Sequence, residues 1–463
     1  MQERKIQKVV IAGGGTSGWI AAAALSKLIG KNLEICLIES DEIGRIGVGE
    51  ATIPTLRTFH KLLGIDEQDL MRSVQATFKL GIEFINWGEK EDNYFHSFGM
   101  NGKDCWACDF QHFWLSGKKR NMAGEFSEYN VEQQVAKARK IAVSEKSNLQ
   151  YAYHLDAGLY AEYLKKFSFK HGVKYIEGKI KHVHIAPDTG YIESLELENT
   201  EKITGDLFLD CTGFGARLIE GALNTRYEPY GEFLPCDSAL AIQTEKVPDP
   251  RPYTQAIAHD YGWQWRIPLQ HRVGNGLVYS GRYASDEQAT DLLMSQLESP
   301  AVTDLRSFKY NTGRRLKAWN KNCIAVGLSA GFLEPVESTS IHLAMSSVLR
   351  LLRLFPGSEG INDANVNEFN QQAKEEMEVV RDFIVLHYHA TERADSPFWR
   401  YCKDMKVPDT LAHRMELFKR SGSVPLNPSE LFKIDSWTQV LFGQRIMPTD
   451  HHPIVDEMRD EEL

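Results

Sequence analysis

Residues 6–39, IQKVVIAGGGTSGWIAAAALSKLIGKNLEICLIE, decide the fold. Residues 6–12, IQKVVIA, are a short apolar run that stops at a glycine cluster, which predicts a buried strand. Gly13-Gly14-Gly15-Thr16-Ser17-Gly18 follows at once, and Trp19 to Ile29 then predicts a helix. Leu33 to Ile38 predicts the next strand, which closes on Glu39. The order is that of a βαβ unit with G-x-G-x-x-G at its first turn. A diphosphate must approach bare backbone at a helix N-terminus, where N–H groups point outward, and glycines permit that approach. Glu39 lies 21 positions beyond Gly18, close to the spacing of about 20 at which an acid meets a ribose hydroxyl. Gly13, Gly15, Thr16, Ser17, Gly18 and Glu39 are therefore candidate cofactor-binding residues. A Gly-rich turn without a ligand is the alternative, and the strand–helix context with the acid in register weighs against it.

The surrounding composition narrows the class. The chain has 463 residues, with 53 Lys and Arg against 63 Asp and Glu, a formal net charge of −10. That acidic balance argues against nucleic acid or an anionic membrane as the main partner. No apolar run approaches the roughly 20 residues of a membrane helix, and the N-terminus does not read as a signal peptide. Seven scattered cysteines predict reduced thiols and a cytoplasmic protein.

Farther along, Leu207 to Thr212 with Gly213-Phe214-Gly215 predicts a second strand-then-glycine turn. Cys323 to Gly327 predicts a third strand, before LSAGFLEPVESTS and a helix near Ile341 to Leu352. The expected organisation is a discontinuous nucleotide-binding module over 1–60, 150–224 and 316–360. A substrate-side sheet and tunnel module is expected over 61–149 and 225–315, and a helical and loop region over 361–463. Only one complete dinucleotide fingerprint is visible. If that site holds a flavin, electrons come from another protein or from a transiently bound nicotinamide.

Four segments together resemble the flavin-dependent halogenases of the tryptophan halogenase family. They are Gly13-Gly14-Gly15-Thr16-Ser17-Gly18-Trp19, Gly47-Val48-Gly49-Glu50-Ala51-Thr52-Ile53-Pro54, Trp263-Gln264-Trp265-Arg266-Ile267-Pro268, and Phe332-Leu333-Glu334-Pro335-Val336-Glu337-Ser338-Thr339. Phe78-Lys79 before Asn86-Trp87, Asp210-Cys211-Thr212-Gly213-Phe214 and Pro397-Phe398-Trp399 add support, and the likeness covers roughly residues 5 to 400. The resemblance implies an α/β protein with a Rossmann-like FAD-binding fold similar to that of hydroxybenzoate hydroxylases. A second mixed β-sheet and a helical C-terminal region complete it. It implies reduced FAD delivered by a flavin reductase, a halide ion (bromide, iodide or chloride), O2, and halogenation of a small electron-rich aromatic substrate through a flavin hydroperoxide and hypohalous acid.

The resemblance also assigns residues. It makes Lys79 the group that guides hypohalous acid to the arene, and Glu337 a base or the residue that holds Lys79. On pattern alone Lys79 is a solvated strand lysine, opposite the apolar side chains of a single strand over Phe78 to Phe84. Gly49, Glu50 and Ala51 match a strap over the flavin, and Leu328 falls in the late glycine turn beside it. Thr339 and Ser340 match a halide site at a helix N-terminus, where they are otherwise simple caps. Ser340 stands where the family has glycine, which alters that site. Trp263, Trp265, Ile267 and Pro268 match a tunnel wall, while His96, Phe98 and Trp399 match the ring-stacking side of the substrate pocket; tryptophans alternating on a strand are otherwise core anchors.

The remaining motifs carry less. Cys105-x-x-Cys108 is a single pair without a second ligand pair, and neither His387-x-His389 nor His451-His452 has a metal-ligand pattern, so no metal is expected. No G-x-S-x-G elbow supports a hydrolase. An oxygen-inserting flavin monooxygenase of the same fold is the nearest alternative, and a flavin-binding protein without turnover is the other. The stretch from Arg414 to Met447 has no tyrosine, and none follows Tyr401. A clamp for a free amino acid is therefore not expected, which favours indoles, phenols or anilines over tryptophan.

Overall fold

The computed structural model describes residues 5–42, 49–105, 107–142, 147–425 and 427–460. The chain divides into two compact units. The first comprises residues 1–76, 155–230 and 310–377, and the second 77–154, 231–309 and 378–463. Among the described residues, no helix is long and apolar enough to cross a membrane.

In the first unit the opening segment folds as a βαβ unit. Strands Lys8–Ala12 and Glu34–Glu39 pair in parallel around helix Thr16–Leu28. They form the centre of a six-stranded sheet in the order 319–320, 323–325, 207–210, 8–12, 34–39, 174–177. All neighbours run parallel except the short edge strand Trp319–Asn320. Both faces of a parallel sheet need cover. On one side, helix Thr16–Leu28 packs with helices Ala157–Lys170 and Ser340–Arg353. On the other, Val10, Ala12, Ile38 and Phe208 meet Ile192, Leu195 and Ile203 of a three-stranded antiparallel sheet. This places the glycine turn, the end of Leu207–Asp210 and the end of Cys323–Ala325 together at the C-terminal edge of the strands, where ligands of such sheets bind.

The second unit is built on a seven-stranded sheet in the order 306–309, 238–245, 272–279, 262–268, 254–259, 81–85, 93–97. Its neighbours are antiparallel except for Thr254–His259 beside Gly81–Ile85. The expected single strand over Phe78 to Phe84 is two strands. Thr77–Lys79 pairs with the strand beginning at Ala152, and Gly81–Ile85 belongs to the seven-stranded sheet. The break falls at Leu80, whose N–H donates to Pro252 O at 2.8 Å and whose carbonyl accepts from Phe98 N at 3.0 Å.

The region from 361 onward does not stand as a third module. Helix Asp363–His389 crosses the division between Met377 and Glu378, and everything after it groups with the second unit. The reason is packing. Phe383 stacks on Phe432 at 3.9 Å and meets Trp437 at 4.8 Å, while the His387 ring stacks on Phe84 at 4.4 Å. These helices use the sheet strands as their core.

Candidate active site

The glycine turn of the first unit has the shape a dinucleotide requires. Helix Thr16–Leu28 starts three residues earlier than its apolar pattern predicts, so Thr16, Ser17 and Gly18 form its first turn. Its N-cap, Gly15, carries no side-chain cap, and the first turn holds no acidic residue. The exposed N–H groups are thus left for an anion. A Cβ on Gly18 would lie 1.9 Å from Gly13 O, and Gly13 itself has φ +111°. Gly15 faces open space, and open space over an uncapped helix start is what a diphosphate fits. Glu39, buried at the end of its strand, packs against Gly14, and one carboxylate oxygen takes Lys165 Nζ at 3.2 Å.

Asp210, at the end of its strand, ties the neighbouring turn together. Its carboxylate accepts from Thr212 N and Oγ1 at 3.0 and 2.6 Å and from the N–H groups of Leu218 and Ile219 at 2.8 Å each. Ser329 Oγ donates to its carbonyl, which ties down the turn carrying half-buried Leu328. Sequence reading took Asp210 as part of a motif and missed this anchoring role. Gly49, Glu50 and Ala51 form a short strand, with Glu50 half-buried and its carboxyl pushed up to about 7 by burial. Gly47 and Val48 of the same motif lie outside the described residues.

Glu337 closes a single turn over Pro335–Glu337, 2% exposed. Ser338 follows in the left-handed region at φ +59°, and helix Ser340–Arg353 then begins behind Thr339. That helix start has no side-chain cap. Thr339 is fully buried, and its Oγ1 has no hydrogen-bond partner. A buried hydroxyl beside uncapped N–H groups suits a small anion, and Ser340 is half-buried at the same point. The helix is fixed by a network that sequence reading missed. His342 Nδ1 meets Thr55 Oγ1 at 2.9 Å and Nε2 meets Glu376 at 3.3 Å. Glu376 also takes Arg350 at 2.6 Å and Ser346 Oγ at 2.8 Å. Burial pushes the Glu376 carboxyl up, but His342 and Arg350 outweigh it and hold it down to about 2.

Lys79 lies in the second unit and is 0% exposed, which removes the reading of a solvated strand lysine. Its burial follows from pairing. Lys79 faces Ala152 across the small ladder, and Thr77 faces His154. Opposed residues of a ladder share a face, so Thr77, Lys79, Ala152 and His154 lie together, with the small Ala152 directly opposite the lysine. The Lys79 Nζ stands 5.2 Å from the centroid of the Phe98 ring.

Trp263 is buried and meets Trp87 and Trp265 at 6.1 Å each. Trp265 packs against Gly276, where a Cβ would come within 2.0 Å of the indole. Ile267 and Pro268 are buried beyond them. His96 is buried against Phe383 at 5.4 Å and Phe432 at 6.1 Å. Trp399 is fully buried. Its indole N–H donates to His259 O at 2.7 Å, and the Arg393 guanidinium lies 4.7 Å from its ring. Both its edge and a face are thus already occupied by protein. Cys105 and Cys108 face each other across a backbone bridge with N···O distances of 3.0 and 3.2 Å, and burial pushes the Cys108 thiol up to about 12.

Two solved structures that match nearly the whole chain are flavin-dependent halogenases. Xcc4156, a flavin-dependent halogenase from Xanthomonas campestris, matches with a TM-score of 0.97 and 51% identity over 99% of this chain and 93% of that one. BrvH, a flavin-dependent halogenase from Brevundimonas sp. BAL3, matches with a TM-score of 0.94 and 41% identity over 98% and 93%. The class is that of flavin-dependent halogenases, flavoprotein oxidoreductases that use FAD, halide and O2 and halogenate aromatic substrates. The tryptophan halogenase model matches residues 8–460, and tryptophan 6-halogenase SttH from Streptomyces toxytricini is 34% identical over 90% of this chain and 85% of its own. The chain belongs to the tryptophan halogenase family. The matches do not favour the hydroxylase alternative.

Proposed function

We propose that this enzyme halogenates an indole- or phenol-type ring, with reduced FAD supplied by a separate flavin reductase in the cytoplasm. Gly13, Gly15, Thr16, Ser17, Gly18 and Glu39 hold the dinucleotide, with Gly49, Glu50, Ala51 and Leu328 beside it. Reduced FAD, when bound, would supply two electrons to O2, the oxidant that converts halide to hypohalous acid. Thr339 and Ser340 hold the halide at the helix start. Lys79 orients hypohalous acid toward the arene by donating a hydrogen bond to its oxygen, and Glu337 accepts the ring proton that the halogen replaces. Trp263, Trp265, Ile267 and Pro268 wall the path, and His96 and Phe98 shape the aromatic side, while Trp399, its edge and a face already taken by protein, supports the wall through Trp87.

The observation that carries this reading is the complete burial of Lys79 beside an aromatic ring. Lysine is rarely fully buried, and one held there serves chemistry better than solubility. Free tryptophan is a poor substrate on this reading. In the segment from 414 onward, Arg414 and Glu430 satisfy each other through a two-pronged ion pair at 2.9 and 2.8 Å. Asp435 accepts from Asn101 N at 2.8 Å, and its carboxyl is pushed up to about 6 by burial. Those acids are engaged within the protein and do not offer an ammonium clamp. The test is steady-state kinetics on indole and on tryptophan, with FAD, a reductase, NADH and bromide, and mass spectrometry of the products. Indole should have the higher kcat/KM. A higher value for tryptophan with a single regioisomer contradicts the substrate assignment, and no brominated arene from any ring contradicts the activity.

A further inference from the structure

We propose that His154 is the positioning residue of Lys79, holding it through Thr77 and the carbonyl of Pro268. The inference rests on the role given to Lys79 above. Thr77 Oγ1 lies 2.6 Å from Pro268 O and 3.1 Å from His154 Nδ1. A carbonyl oxygen has no proton to give, so the single hydroxyl proton of Thr77 goes to Pro268, and His154 must donate from Nδ1 to the Thr77 oxygen. His154 Nε2 is 2.9 Å from Thr254 Oγ1 and accepts from that hydroxyl. The hydrogen bonds thus fix a proton on Nδ1, and burial keeps the imidazole neutral, which leaves Nε2 to accept from Thr254. His154 is fully buried, and desolvation, with the Lys79 charge adding to it, holds its protonation well below the ordinary imidazole range.

The consequence is mechanical and electrostatic. Strand Thr77–Lys79 is only three residues long and ends at the break at Leu80. Three backbone pairs are a weak grip on a side chain that must aim a reactive electrophile. The chain Thr254 to His154 to Thr77 to Pro268 adds side-chain bonds linking the lysine strand, the strand beginning at Ala152 and the last residue of W-x-W-x-I-P. His154 sits diagonally from Lys79 on the same face and, being neutral, puts no second positive charge beside the ammonium. Sequence reading passed over His154 because 77 chain positions separate it from Thr77.

Coupling efficiency tests this. Indole, bromide, FAD, a reductase and NADH are supplied to the full chain, and product per flavin oxidised is compared with free hypobromous acid trapped by monochlorodimedone. His154→Leu removes both bonds, Thr77→Val removes the bridge without touching His154, and His154→Asn keeps a donor where Nδ1 stands. Misplacement of a reacting group by about 1 Å can cost on the order of 100-fold. His154→Leu and Thr77→Val should therefore lower product about tenfold or more, with trapped hypobromous acid rising and FAD affinity unchanged, and His154→Asn should recover most of the product. Normal coupling in His154→Leu and Thr77→Val, with product lost in Lys79→Ala, overturns the positioning role alone. Equal loss in Leu and Asn variants without leaked oxidant also overturns it, since that is the mark of general damage. Full product from Lys79→Ala removes the reading of Lys79 on which it stands.

Discussion

Replacing Glu376 by glutamine tests the network that fixes the helix behind Thr339. The carboxyl is held at about 2 against an ordinary 4.5. The gap of about 2.5 units corresponds to about 3 kcal/mol at roughly 1.36 kcal/mol per unit. Removing one partner of a buried ion pair costs about 3–5 kcal/mol, so the two routes agree. Arg350, buried and bonded to Glu376 at 2.6 Å, is the group left with an uncompensated charge. The sign follows from the direction of the shift. A depressed carboxyl stabilises the fold fully above about pH 4.5, and that contribution is lost as pH falls toward 2. Glu376→Gln should therefore lower the Tm of the first thermal transition at pH 7 by about 6–12 °C, at roughly 2–4 °C per kcal/mol for a unit of this size. The difference from wild type should shrink as pH drops below about 4.5. Circular dichroism melts across that range decide it. A Tm change under about 2 °C at pH 7, or a difference that does not change with pH, refutes the reasoning.

Two further outcomes follow from the site. Glu337→Gln should lower kcat by roughly 10²–10⁴-fold, the range for general acid–base help, while flavin binding measured by fluorescence stays intact. Bromide or iodide should win over chloride when the halides compete at equal concentration, because Ser340 reshapes the site and larger halides are easier to oxidise; a chloride excess in the product contradicts this.

The opening βαβ unit was legible because every signal for it is local. An apolar run, a glycine cluster and an acid in register lie within 34 residues. The first turn of the helix was not, since Thr16, Ser17 and Gly18 are not apolar and their place depends on Gly13 lying 1.9 Å from a Cβ at Gly18. The burial of Lys79 was illegible for a different reason. Alternation along Phe78 to Phe84 assumes one strand, whereas the chain leaves one ladder for another at Leu80 through bonds to Pro252 and Phe98. The Glu376 network joins residues 55, 342, 350 and 376, and nothing in their spacing announces it. The C-terminal helices read as a separate polar region because their apolar partners, Phe383 and Trp437 among them, lie 54 positions apart and meet only through the fold.

The central claim is that Lys79 acts after the oxidant is made, and one measurement addresses it directly. Lys79→Ala is run with FAD, a reductase, NADH, bromide and indole, and brominated indole is counted against NADH consumed and O2 taken up. NADH and O2 consumption should match wild type while brominated indole falls to background. Wild-type yield of brominated indole from Lys79→Ala would contradict the account.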